Sequence, residues 1–172
     1  MCMAGKKHHT LERIVRVPKS RAEVFDFFSK AENLNQLTPP ELHFKILTPT
    51  PIDMYVGSLI DYRIRLKGLP MRWRTEITRW DPPFCFVDFQ LRGPYVLWDH
   101  LHEFYDEGDH TVIYDRVNYI PRGGPLAGIA HALFVKSELK KIFDYRTAAI
   151  LNIFGGVELD RLPERQVEEI AV

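Results

Sequence analysis

Apolar side chains along this chain repeat with two different periods, and the switch between them divides it into regions. Residues 10–17 (TLERIVRV) alternate, which places Leu11, Arg13, Val15 and Val17 on one face of a first strand. Pro18 ends that strand. Ser20, with Glu23 three residues on, reads as a capping box that opens a helix over 21–29. Val24, Phe25, Phe27 and Phe28 give this helix its apolar side, and a second helical piece over 31–37 stops before Pro39-Pro40.

From residue 43 to 120 the pattern is strand and turn. The spacing predicts strands at 43–48, 58–66, 71–80, 84–91, 95–105 and 110–120. Their links carry Lys67-Gly68-Leu69-Pro70, Asp81-Pro82-Pro83, Arg92-Gly93-Pro94 and Glu107-Gly108-Asp109, all turn chemistry. Such short links join antiparallel neighbours. After Gly123-Gly124-Pro125 the period becomes 3.6, and Gly155-Gly156 closes a predicted helix over 125–154. Val135, Leu139, Ile142, Phe143, Ala149, Ile150 and Ile153 share one side of it. The order predicts an α+β helix-grip fold, a curved antiparallel sheet of six or seven strands wrapped on a long C-terminal helix. Such a wrap tends to leave a cavity between sheet and helix. The predicted divisions are a disordered, basic N-terminus at 1–9, one helix-grip domain at 10–156, and an acidic, solvated tail at 157–172.

Composition narrows the function classes. The chain has 172 residues, 45% apolar, with 23 basic side chains against 23 acidic ones. One domain of that length can bury a real core. The even charge balance argues against a nucleic-acid partner. No apolar run reaches the ~18 to 20 residues of a membrane span, and no apolar run follows the basic start as in a signal peptide. Cys2 and Cys85 have no metal-binding or disulfide-framework spacing. A cytoplasmic location is expected.

The candidate chemistry lies on three strands. Residues 95–105 read YVLWDHLHEFY, with Trp98, His100, His102 and Phe104 on one face and Leu97, Asp99, Leu101 and Glu103 on the other. The aromatic ends, Trp98 and Phe104, favour their own face as the inner one. Residues 84–91 set Phe86, Asp88 and Gln90 against Cys85, Val87, Phe89 and Leu91, and propensity alone puts the second set inside. In 110–120, Ile113, Asp115, Val117 and Tyr119 form the more apolar set.

The strings W-x-H-x-H-x-F (Trp98 to Phe104) and T-x-x-x-D-x-V-x-Y (Thr111 to Tyr119) resemble the SRPBCC superfamily. It includes START domains, the birch-pollen allergen family and the polyketide cyclase/dehydrase group. G-L-P-M-R-W-R-T (Gly68 to Thr75) and D-P-P-x-x-F-x-D (Asp81 to Asp88) point to the bacterial cyclase/dehydrase-like branch. The resemblance covers most of the chain and implies a hydrophobic-ligand cavity between sheet and C-terminal helix, for which the usual size of ligand pockets sets an expected volume of roughly 300 to 1,000 Å³. It also implies that the Asp88 face points inward. The expected ligand-binding residues are Tyr62, Trp73, Phe86, Asp88, Trp98, His100, His102, Phe104, Asp115 and Tyr119.

Several readings of these residues stay open. His100-x-His102 fails the cupin metal template, since Gly93 is misplaced, Tyr114 stands where a glycine belongs, and the second motif is missing. No metal and no cofactor are assigned. His100, His102, Asp88 and Asp115 are candidate acid–base groups for a cyclisation or dehydration, or else a polar wall that positions a ligand. Arg146 falls inside the apolar stripe of the long helix, so it should have a carboxylate partner or snorkel out at the edge; it is read as a structural ion pair, with contact to a ligand anion as the alternative. The apolar stretch 125–135 is a covered helix or a pocket mouth touching a membrane. Arg63, Arg65, Arg72, Arg74 and Glu76 are read as cross-strand charge pairs on the solvent face. The leading function is binding of a hydrophobic small molecule or lipid. A cyclase/dehydratase-type enzyme and a protein-partner domain are the alternatives, and the oligomeric state is unknown.

Overall fold

A computed structural model of the chain describes residues 8–122 and 134–163. Strand β1 is His9–Val17, with Val15 and Val17 buried on one side and Ile14 on the other. Ser20 accepts a hydrogen bond from the Glu23 backbone N–H at 3.3 Å and starts α1, Arg21–Phe28. The capping box is only half made, because the Glu23 carboxylate accepts from Lys19 at 2.8 Å instead. The second helical piece takes the tighter 3-10 form over Ala31–Asn35 and again at Pro40–Leu42.

The sheet continues with β2 (Lys45–Ile46), β3 (Leu59–Leu66), β4 (Leu69–Asp81), β5 (Cys85–Arg92), β6 (Tyr95–Asp106) and β7 (Thr111–Pro121). Helix α2, Lys136–Phe154, and a short β8, Val157–Glu158, complete the chain order. The sheet order is β2-β3-β4-β5-β6-β7-β1-β8, and each pairing is antiparallel. The α+β helix-grip architecture is therefore present, with eight strands rather than six or seven. The added strand comes from residues that the sequence assigns to the tail. Gly156 makes this possible: at φ +105°, an added Cβ would lie 2.0 Å from the Arg16 carbonyl oxygen. Only a glycine lets the chain leave α2 and pass that close to β1. Leu159 and Leu162 then pack on Ile14, Val112 and Tyr114, on the face away from α2.

Helix α2 packs on the other face through Leu139, Phe143, Arg146, Thr147, Ile150 and Phe154. These positions step by three and four residues and stay on one side. Ile153, expected in that stripe, is 37% exposed, and Phe154 takes its place. Two apolar clusters fill the layer between. One gathers Phe25, Phe28, Phe86, Phe104, Ile150 and Phe154; the other gathers Trp73, Tyr95, Trp98, Val117, Leu139 and Phe143. The first part of the predicted 125–154 helix, with most of the apolar 125–135 stretch, lies outside the described residues. Among the described residues no helix is long and apolar enough to cross a membrane.

On the outer face the charge pattern differs from expectation. Arg74 donates two hydrogen bonds to its cross-strand partner Asp61, at 2.7 and 2.8 Å. Arg63, however, lies opposite Arg72, a like-charge pairing that only solvent exposure makes tolerable.

Candidate functional site

Three adjacent strands bring the polar candidates together. In the ladder Asp88 of β5 lies opposite His100 of β6, and His102 lies opposite Asp115 of β7. Trp98, His100, His102 and Phe104 are all buried, so this face of β6 is the inner one. On β5 the inner set includes Phe86, Asp88 and Gln90, against β-propensity; Val87 and Phe89 are half-buried outside and Leu91 is exposed. The choice follows from register. Asp88 must face the same way as His100, its direct partner, because paired residues project to one side.

His102 bridges two carboxylates, with Nδ1 2.6 Å from Asp115 Oδ1 and Nε2 3.0 Å from Asp88 Oδ2. His100 lies beside it, ring centroids 3.8 Å apart, with Nδ1 3.3 Å from the same Asp88 oxygen. Its Nε2 is 3.7 Å from Asp115 Oδ1 and has no hydrogen-bond partner among the described residues. Arg146 of α2 donates from Nε to Asp115 Oδ2 at 2.9 Å. At 6% and 2% exposure, Arg146 and Asp115 form an ion pair in the interior, and the guanidinium also stands over the Phe28 ring.

Electrostatics follow from this packing. Burial alone would raise the Asp115 carboxyl, but the charges of Arg146 and His102 outweigh it and hold it well below the usual carboxylate range. Burial is likewise overcome at Asp88, which His100 and the two imidazole contacts pull down. Burial disfavours the charged form of His100, yet Asp88 and Asp115 together lift it above its ordinary value. Burial, with the Asp88 charge, pushes the Tyr62 phenol well up, so this hydroxyl stays neutral.

The cluster forms part of the wall of a cavity of about 180 Å³, smaller than the range expected from the sequence. Tyr62, Trp73, Phe86, Asp88, Trp98, His100 and His102 line it, and Arg146 reaches it too. Three of the expected residues are not in the lining. Phe104 packs against Phe25 and Phe28 in the core, Asp115 sits behind His102, and Tyr119 lies against Tyr95 and Trp98. The sequence reading missed Phe28, Ala31, Leu37, Tyr95 and Phe143, which do line the cavity. Phe28 and Phe143 were legible as members of apolar helix faces. Tyr95 was hidden because an irregularity between Tyr95 and Leu97 resets the alternation of β6. Trp73 Nε1, like His100 Nε2, is buried without a hydrogen-bond partner among the described residues. Asp88, His100 and His102 each offer a ligand atom within 4.8 Å of the others, the arrangement in which a metal ion could be held.

No family model and no curated protein matches the chain. Solved structures do. The Zhui aromatase/cyclase from Streptomyces sp. R1128 is similar at 15% identity and TM-score 0.61, over 88% of this chain and all (100%) of that one. A START superfamily protein from Mycobacterium smegmatis is similar at 13% identity and TM-score 0.62, over 86% and 99% of the two chains. Norcoclaurine synthase from Thalictrum is similar at 16% identity and TM-score 0.62, over 87% and 98%. With the single antiparallel sheet and the closing helix, these likenesses show that the chain has a helix-grip fold, the fold of those solved structures.

Proposed function

We propose that the protein binds one compact, largely aromatic or apolar molecule in this cavity and orients it by a polar end, without chemistry. The observation that carries the reading is the make-up of the wall. Rings of Tyr62, Trp73, Phe86 and Trp98 surround the space, and Asp88, His100 and His102 are among its few polar groups. Burying about 250 Å² of apolar ligand surface gains about 6 kcal/mol before the costs of association. A volume of about 180 Å³ favours a molecule of one or two rings over a long-chain lipid. A protein-partner domain would be expected to fill this space. The cytoplasmic location expected from the sequence is part of the same proposal.

The acid–base enzyme is the second reading, and one observation favours it. Asp115, fixed by Arg146, orients His102 so that its Nε2 lies beside Asp88 at the cavity wall. Tryptophan emission tests the first reading. In a Trp80→Phe background, Trp73 and Trp98 are the remaining reporters, because the chain has three tryptophans. Naphthols and related phenols should quench that emission saturably at one equivalent, and Trp73→Phe should weaken the binding. An emission that no such compound changes would sink the reading. Turnover that falls ~100-fold or more in His102→Gln while quenching survives would replace it with the enzyme.

A further inference from the structure

Two imidazole nitrogens converge on one carboxylate oxygen in the cavity wall. We propose that Asp88, His100 and His102 form a binding site for a divalent transition-metal ion, through one carboxylate oxygen and two ring nitrogens. The inference goes beyond ligand binding and does not depend on which molecule occupies the cavity.

Geometry carries the argument first. Asp88 Oδ2 lies 3.0 Å from His102 Nε2 and 3.3 Å from His100 Nδ1, and the three ligand positions all fall within 4.8 Å. Around an ion with bonds of about 2.1 Å, neighbouring ligand atoms stand about 3.0 Å apart in an octahedron and about 3.4 Å in a tetrahedron. The side chains need to move little to meet such an ion. Two neighbouring strands hold them, and ladder register fixes Asp88 against His100.

Hydrogen bonding points the same way. With Nδ1 donating to Asp115 at 2.6 Å, His102 can offer the lone pair of Nε2 to an ion beside the Asp88 carboxylate, in place of the proton that bonds the two at 3.0 Å. The support behind the ligands is of the kind metal sites use, where a ligating histidine donates its other N–H to a carboxylate. Asp115 serves His102 in this way and lies 3.7 Å from His100 Nε2, a nitrogen of a residue only 6% exposed that has no hydrogen-bond partner among the described residues. Arg146 neutralises Asp115 and leaves Asp88 as the charged ligand. Nitrogen-rich donors of this kind suit zinc, iron or cobalt better than magnesium or calcium. Because all three residues line the cavity, the ion would keep coordination positions open to water or to a ligand oxygen. The cupin template misses the site because its third ligand comes from the neighbouring strand β5 and not from a distant histidine.

Cobalt(II) and zinc(II) titrations of the full chain, stripped with a chelator and dialysed, test the proposal. Calorimetry should show one zinc equivalent, and bound cobalt should give visible bands shifted by imidazole ligation. Asp88→Asn and His102→Gln should each remove those bands, and Asp115→Asn should weaken zinc binding about 10- to 100-fold. A His8→Gln/His9→Gln chain should bind as the wild type does, since those adjacent histidines are the plausible adventitious site. Thermal melts check that each variant folds. The wild-type cobalt spectrum needs no variant, so lack of imidazole-shifted bands overturns the site by itself. Binding that survives Asp88→Asn, or that vanishes in the His8/His9 variant, overturns it as well. Naphthol quenching on the same stripped protein separates this outcome from failure of the cavity reading.

Discussion

Replacing Arg146 by methionine should be among the most damaging single changes in this protein. The guanidinium donates to Asp115 Oδ2 at 2.9 Å, and both side chains are nearly inaccessible to water. Methionine fills much of the volume but leaves the Asp115 carboxylate inside the protein with the His102 ring as its main support. Removing one partner of a buried pair costs about 3 to 5 kcal/mol, most of it the penalty of the charge left behind. For a chain of this length that corresponds to a drop of about 6 to 20 °C in Tm. Urea unfolding at neutral pH, followed by tryptophan emission, measures it directly. Adding Asp115→Asn to Arg146→Met removes the stranded charge, so the double variant should recover about 1 to 3 kcal/mol relative to Arg146→Met alone. A loss below about 1 kcal/mol, the range of an exposed ion pair, would refute the reasoning.

Stability should also depend on pH, with a maximum at mildly acid values when measured with a chelator present. Asp88 and Asp115 ionise at lower pH folded than unfolded, so their contribution is present above about pH 4 and is lost as pH falls below it. His100 is raised, so its contribution is full below about pH 6.5 and is lost as pH rises through the raised value. Urea unfolding across that range should fall on both sides, and a flat profile would contradict the assigned directions. Gly156→Ala should cost more than about 1 kcal/mol, because the new methyl meets the Arg16 carbonyl oxygen and β8 must leave β1. An unchanged urea midpoint would show that this close approach is dispensable.

The elements were legible wherever one period ran unbroken. The β3 to β7 meander follows from alternation and turn chemistry, and α2 from its 3.6-residue stripe. What the sequence could not supply was register. Propensity put Val87 and Phe89 inside, and only pairing with His100 turns Asp88 to the cavity. Arg146 was legible as an anomaly in an apolar stripe, because a bare charge there needs a partner. That its carboxylate sits directly behind His102 depends on the β6–β7 ladder and on the placement of α2. Ala31 and Leu37, at the two ends of the short helical piece over 31–37, carried no signal, since so short a piece shows no period from which to read direction. Val157–Glu158 was lost in an acidic tail, although Gly155-Gly156 marked the turn that returns the chain to β1.

Native mass spectrometry of the wild-type chain beside Ala31→Trp tests the central claim most directly. Ala31 is buried and lines the cavity, so an indole there would occupy the space that a ligand needs. Offered a panel of phenols and naphthols, the wild type should carry one non-covalent adduct. Ala31→Trp, with its melt checked for folding, should carry none. Adducts of equal occupancy on both proteins, or none on the wild type with any compound, would contradict binding in the cavity.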